Sequence, residues 1–211
     1  MPSLAQAQAW YAGADPVHDY QHILRVYRMA ERLAQAEGAD LSVVRAAALL
    51  HDAEGTAPGG SARATHHFSS AEFAAEVLRA EGWPAERIAA VQHCIRAHRY
   101  RDTREPPATI EAKVIFDADK LDVLGAIGAC RTAAYAALAG QPFFAVPSAR
   151  FLAVGQEEPG EPHSSYHEFL FKLNKIKDRL FTPTARAIAA QRHAYLQDFF
   201  DRLQAEWSGE M

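Results

Sequence analysis

The sequence predicts an all-α protein, and three observations carry that expectation. Nearly every long segment repeats its apolar residues at the spacing of a helix face, no alternating run bounded by turn signals reads as a strand, and Gly, Pro and capping residues punctuate the periodic segments. A chain of 211 residues is long enough to bury a proper core. Hydrophobic residues at 49% and charged residues at 23% match ordinary globular usage and argue against disordered, collagen-like and coiled-coil compositions.

From Asp19 to about Gln35, the residues Ile23, Leu24, Tyr27, Ala30, Leu33 and Ala34 trace one helix face, and Gly38 follows as a stop. Asp40 caps a second helix, LSVVRAAALL, that runs into His51 before Gly55, Pro58, Gly59 and Gly60 break the chain. Ser69 with Glu72 forms a capping-box pattern for a third helix carrying Phe73, Ala74, Val77 and Leu78. Gly82 ends it and Pro84 opens a fourth, on which Ile88, Val91, Ile95 and His98 share a stripe while His93 falls on an opposite face. Pro106 and Pro107 mark a connector, followed by a helix from Thr109 and the apolar run VLGAIGAC. Residues 140–162, rich in Pro and Gly, form a stretch longer than most connections in compact domains and predict a lid or a disordered segment. Beyond it Phe169, Leu173, Ile176 and Leu180 make a stripe, and Thr182 with Pro183 restarts a helix bearing Ile188, Tyr195, Leu196, Phe199 and Leu203. The expected organisation is a single domain over residues 1–211, with a core at about 15–140, a lid or long loop at about 141–163 and a C-terminal helical hairpin at about 164–207.

With 22 basic and 26 acidic residues the net charge is -4, which lacks the basic excess of a dedicated nucleic-acid binder. Cys94 and Cys130 are too few for a disulfide framework and suit a reducing compartment. The N-terminus has no basic stretch followed by an apolar one, and no apolar run reaches membrane-spanning length, so a cytoplasmic protein with no membrane partner is expected.

The 10 histidines are clustered rather than spread. Three stretches place metal-capable side chains beside apolar residues: HDYQHILRV at 18–26, LLHDAEG at 49–55 and FDADKLD at 116–122. A buried imidazole or carboxylate without a partner is costly, and a shared cation would compensate it. Adjacent His51 and Asp52 can face one ion only where their helix ends, because consecutive helical residues point about 100° apart.

These stretches resemble the HD-domain superfamily of metal-dependent phosphohydrolases, whose pattern is a His, an adjacent His-Asp pair and a distant Asp. The likeness covers nearly the whole chain and is nearest to a widespread group of bacterial HD hydrolases. It also rests on THHFSSAEFA, CIRAHRYR, TIEAKVIFDADKLDVLGAIG and YHEFLFKLNKIKDRLFTPTAR. The resemblance implies an HD-type helical bundle and a metal site of His22, His51, Asp52 and Asp119, with His18 competing for the first position. Asp117 and Asp122 are set aside, the first as a neighbour of the metal position and the second as structural support. A second ion, where the family has one, points to His67 and His93, with Asp52 as the bridge; a helical hairpin turning near Gly82, however, puts His67 closer to the level of His98 on the apolar stripe, which leaves the second position open. A mixed nitrogen and oxygen set suits Mn²⁺ first, then Fe²⁺, Co²⁺, Ni²⁺ or Zn²⁺, with Mg²⁺ less well matched.

The implied activity is hydrolysis of a phosphomonoester or phosphoanhydride, with a nucleotide the expected substrate, through a metal-activated water. Negative charge building at phosphorus calls for cations, and Lys120 and Arg25 are the candidates for the substrate phosphate, with His98 as a further donor and Arg131 as another guess. Glu54 can orient water, and His67 or His98 can serve as general acid beside Asp52. Two other readings fit the same residues: a di-iron HD-type oxygenase, and a non-catalytic nucleotide-binding regulator. The C-terminal aromatics Phe169, Phe199, Phe200 and Trp207 are read as core or homodimer packing.

Overall fold

The computed structural model describes residues 1–14, 19–54, 65–99 and 104–211. Every regular element among them is helical: α1 (Leu4–Trp10), α2 (Tyr20–Glu37), α3 (Leu41–Leu50), α4 (His66–Ala80), α5 (Ala85–Ala97), α6 (Ile110–Leu121), α7 (Gly125–Leu138), α8 (Ala149–Val154), α9 (Ser165–Glu168), α10 (Asn174–Ile176) and α11 (Pro183–Ser208). A π turn, Phe169–Leu173, precedes α10, and a 3₁₀ turn, Lys177–Arg179, follows it. Among the described residues no single helix is long and apolar enough to cross a membrane. The chain divides into two compact units, one of Met1–Asp122 with Leu180–Ala185, the other of Val123–Arg179 with Arg186–Met211.

In the first unit α3 is the central rod. Val43, Val44, Ala46, Ala47, Ala48, Leu49 and Leu50 are all buried, as expected of a helix apolar nearly all round, and α1, α2, α4, α5 and α6 pack on it. Asp40 caps its start by accepting from the Ser42 and Val43 amides. On α2, Asp19 accepts from the His22 amide at 3.0 Å, which puts His22 in the first turn, and the buried stripe runs on through Ile23, Val26, Ala30 and Leu33. Gly38 ends the helix at φ +72°, a conformation open to glycine at little cost.

Helix α6 is capped by Thr109 and buries two carboxylates pointing to different sides, because residues two apart on a helix are about 200° apart. Asp117 accepts from the Phe181 amide at 2.9 Å and from both the amide and hydroxyl of Thr182 at 2.7 Å. This carboxylate fastens residues 180–185 to the unit. Asp119 faces the other way, toward α2 and α3.

The capping box expected at Ser69 and Glu72 does not form. Helix α4 begins four residues earlier, at His66, with Thr65 rather than Ser69 at its cap. Ser70 is buried inside the helix, and its hydroxyl accepts instead from the Glu54 amide at 3.1 Å.

In the second unit Phe151, Phe169, Leu173, Ile176, Leu196 and Phe200 form the core, and the Phe169 and Phe200 rings stack at 4.5 Å. Gly128 on α7 has no room for a side chain, since a Cβ there would lie 2.2 Å from the Val123 carbonyl oxygen. Residues 140–162 are the stretch for which composition predicts a lid or a disordered segment. They carry α8, whose first turn is capped by Ser148, and the Glu161 carboxylate accepts from the Ser148 and Glu158 amides at 2.7 Å each. His167 closes this knot, with Nε2 3.0 Å from Glu161 and Nδ1 2.7 Å from the Ser164 hydroxyl.

Candidate metal centre

Helix ends of the first unit bring the candidate residues together. His22 comes from the first turn of α2, His51 and Asp52 from the exit of α3, His66 from the start of α4, His98 from the end of α5 and Asp119 from the last turn of α6. Three of these ends are C-termini, whose partial negative charge adds to that of the carboxylates and favours a cation.

Two sets of side chains have ligand atoms within 4.8 Å of one another: His22, His51 and Asp119 in one, and Asp52, His66 and His98 in the other. Asp52 stands between them. Its Oδ2 lies 3.9 Å from His22 Nε2 and 3.7 Å from His51 Nε2, while its Oδ1 lies 3.2 Å from His66 Nε2 and 3.4 Å from His98 Nε2. Asp119 Oδ1 is 3.6 Å from His22 Nε2.

Backbone and carboxylate acceptors set the imidazoles. His51 Nδ1 donates to the Ala48 carbonyl at 2.9 Å, His98 Nδ1 to the Ile95 carbonyl at 2.6 Å, and His22 Nδ1 to Asp122 at 2.8 Å. An oxygen that can only accept requires the proton on Nδ1, so each ring, when neutral, presents its Nε2 lone pair to the centre. This is the outer arrangement that metal-ligating histidines need. His51 Nε2 and Asp52 Oδ1 are buried with no hydrogen-bond partner among the described residues. Buried polar atoms left in that state are costly, and a cation between them removes the cost.

Burial pushes Asp52 toward its neutral form, but His51, His66 and His98 outweigh it and hold the carboxyl well below the usual range. The same contest at Asp119 is won by Lys120, His22, His51 and His98, so this carboxyl is also strongly lowered. His98 moves down because burial disfavours its charged form. Both carboxylates are thereby held ionised, the state that metal binding demands.

The remaining candidates are placed as follows. Lys120 pairs with Asp119 Oδ2 at the edge of the group. Arg25 directs Nε and Nη2 at Asp122, at 2.8 and 3.0 Å, so its fork holds the partner of His22 rather than an open position. Glu54 is exposed and tied through its amide to Ser70. His67 is buried against the Phe68 ring at 4.2 Å, and Arg131 lies on α7 in the second unit. His18, Gly55 and Pro58 lie outside the described residues.

The pair expected at a second ion, His67 and His93, is not the pair brought to Asp52. His93 Nδ1 faces Glu105 at 2.6 Å and its Nε2 accepts from the Ala108 amide at 3.1 Å, so both ring nitrogens are engaged on the far side of α5. His66 and His98 stand at Asp52 instead. A helix capped at Ser69 leaves His66 outside it; with Thr65 as the cap, His66 is the first residue of α4. Asp122 is the other residue underrated by sequence, since its pairing with His22 spans 100 positions.

A model of the HD domain matches residues 19–124, and the chain belongs to the HD family. It is 30% identical over 195 residues to Bacillus subtilis YpgQ, an alignment covering 91% of this chain and 85% of YpgQ. The crystal structure of YpgQ in complex with ADP superposes with a TM-score of 0.74 at 28% identity, covering 97% of each chain. A Lactobacillus plantarum protein is similar at a TM-score of 0.77 and 30% identity, over 98% of this chain and 95% of that one. An HD-superfamily hydrolase from Bacillus thuringiensis matches at 0.70 and 28%, over 97% and 94%.

Proposed function

We propose that this chain is a metal-dependent phosphohydrolase that cleaves a phosphomonoester or phosphoanhydride of a nucleotide. The observation that carries the reading is the set of Nε2 lone pairs of His22 and His51 aimed with Asp52 and Asp119 at one centre, beside the cation Lys120. YpgQ in complex with ADP supports a nucleotide as the substrate class.

His22, His51, Asp52 and Asp119 would hold the first ion; two imidazoles with two carboxylates suit Mn²⁺, Fe²⁺, Co²⁺, Ni²⁺ or Zn²⁺ better than Mg²⁺. A divalent ion there supplies a Lewis acid and makes water reactive at neutral pH. Lys120 offers its ammonium to the phosphoryl oxygens, where negative charge builds during attack. His98, with Nδ1 fixed on a carbonyl, exchanges a proton at Nε2 only. Purified protein supplied with Mn²⁺, Co²⁺, Ni²⁺ or Mg²⁺ and offered p-nitrophenyl phosphate and a panel of nucleoside mono-, di- and triphosphates tests this directly. Metal-dependent phosphate or pyrophosphate release is expected. No turnover with any metal, together with nucleotide-induced thermal stabilisation, would replace the enzyme by a nucleotide-binding regulator.

A second reading rests on the two groups sharing Asp52, each oxygen facing one of them. That arrangement suits two ions with Asp52 between them, and two irons per chain with oxygen consumption would favour an oxygenase over a hydrolase.

A further inference from the structure

We infer that Tyr11, the residue that ends α1, is a positioning residue for the metal centre, because its hydroxyl holds the exit of α3 that carries His51 and Asp52. This rests on the metal-centre reading given above.

His51 keeps helical dihedrals, φ -63° and ψ -30°, and the regular hydrogen-bond ladder of α3 stops just after it, where Asp52 follows. The hydrogen bonds show how it does so. The last carbonyls of a helix lack intrahelical donors and need others. At the end of α3 the Ala48 carbonyl accepts from His51 Nδ1 at 2.9 Å, the Leu50 carbonyl accepts from the Ala53 amide at 3.3 Å, and the Leu49 carbonyl accepts from the Tyr11 hydroxyl at 3.1 Å. In an uninterrupted helix the Ala53 amide would serve Leu49 and the Glu54 amide would serve Leu50. Ala53 has instead turned back to Leu50, and Glu54 has gone to the Ser70 hydroxyl. The Tyr11 hydroxyl supplies the donor that Leu49 loses.

That donor comes from a well-supported place. Tyr11 is 4% exposed and packs in a small apolar cluster with Ala7, Ile23 and Leu49, flanked by Trp10, Tyr20, Tyr27 and Ala53. Leu49 is 1% exposed, so water cannot replace the hydroxyl without rearrangement. Without the hydroxyl, the Leu49 carbonyl would be buried and unsatisfied, and the nearest remedy is for the Ala53 amide to return to it. That extends α3 and shifts the backbone that carries Asp52.

Tyr11→Phe removes the hydroxyl and keeps the ring. Mn²⁺ affinity by titration calorimetry is expected to fall about 10- to 100-fold, the usual effect of losing an outer-shell partner. Ile88→Val, a mild core change on α5, is expected to keep wild-type affinity and separates positioning from general destabilisation. In metal-free protein, the ¹⁵N and ¹H imidazole signals of His51 are expected to shift in Tyr11→Phe and to stay in place in Ile88→Val. Wild-type affinity in Tyr11→Phe, with unchanged His51 signals, overturns the inference. Wild-type protein that binds no Mn²⁺ overturns the metal reading alone; the imidazole signals then decide, shifted ones supporting the role of Tyr11 and unchanged ones ending it.

Discussion

His22 and Asp122 are joined by a 2.8 Å hydrogen bond through Nδ1, and the same carboxylate receives the Arg25 guanidinium at 2.8 Å. A side chain just past the end of α6 therefore decides which nitrogen of a residue on α2 faces the centre. Burial lowers the Arg25 pKa, but the bond to Asp122, the larger influence, carries it above the ordinary value.

Removing this carboxylate should loosen both the ligand and the fold. Asp122→Ala is expected to weaken metal binding about 10- to 100-fold. It should also lower stability by about 1–3 kcal/mol, since it leaves Arg25 and His22 Nδ1 without their acceptor. Metal titration and thermal melts of the metal-free protein measure the two effects separately.

Asp117 makes the opposite prediction from a position five residues away on the chain. Its carboxylate serves Phe181 and Thr182 rather than the centre. Asp117→Ala is expected to cost roughly 3 kcal/mol of stability through lost charge-assisted hydrogen bonds. Metal affinity of the folded fraction should be unchanged, so a denaturant curve should move and a metal titration should not.

The second unit carries an acid-sensitive knot. Burial works to raise Glu161, but His167 and the Ser148 and Glu158 amides outweigh it and pull the carboxyl from the ordinary value of 4.5 down to about 2. A lowered folded pKa contributes stability that is fully present above about 4.5 and is lost as pH falls toward about 2. Melting temperature should therefore drop more steeply across that window in the wild type than in Glu161→Gln, which lacks the titrating group. Parallel pH profiles for the two proteins would contradict the assignment.

The two groups around Asp52 predict which histidine governs ion count. If metal analysis finds two ions per chain, His66→Ala should reduce them to about one, because it removes a ligand from one group only. His93→Ala should keep the full count, since its ring is committed to Glu105 and Ala108.

The helical architecture was legible because long, buried helices such as α2 and α3 write their packing into the apolar spacing. Asp40, Pro84 and Thr109 were equally readable, since capping residues act locally. Helix α1 leaves no such signal: of its own residues it buries only Ala7 and offers no periodic stripe, although Ser3 and Gln6 do form a reciprocal capping box. The start of α4 was misjudged because Ser69 and Glu72 match a local pattern, while long-range contacts at Asp52 and Glu54 determine where the helix begins. For His93 the helix face already separated it from His98, and that physical reading pointed the right way where positional analogy did not. The grouping of His22, His51, Asp52 and Asp119 was suggested by resemblance to the HD pattern. The roles of Asp122 and Tyr11 depend on contacts across 100 and 38 positions, which no local signal encodes.

Anomalous scattering from crystals grown with saturating Mn²⁺ bears most directly on the site itself. A peak bounded by His22 Nε2, His51 Nε2, Asp119 and Asp52 is the predicted result. Full data at the manganese edge with no peak there, the four side chains standing as described, would contradict the account.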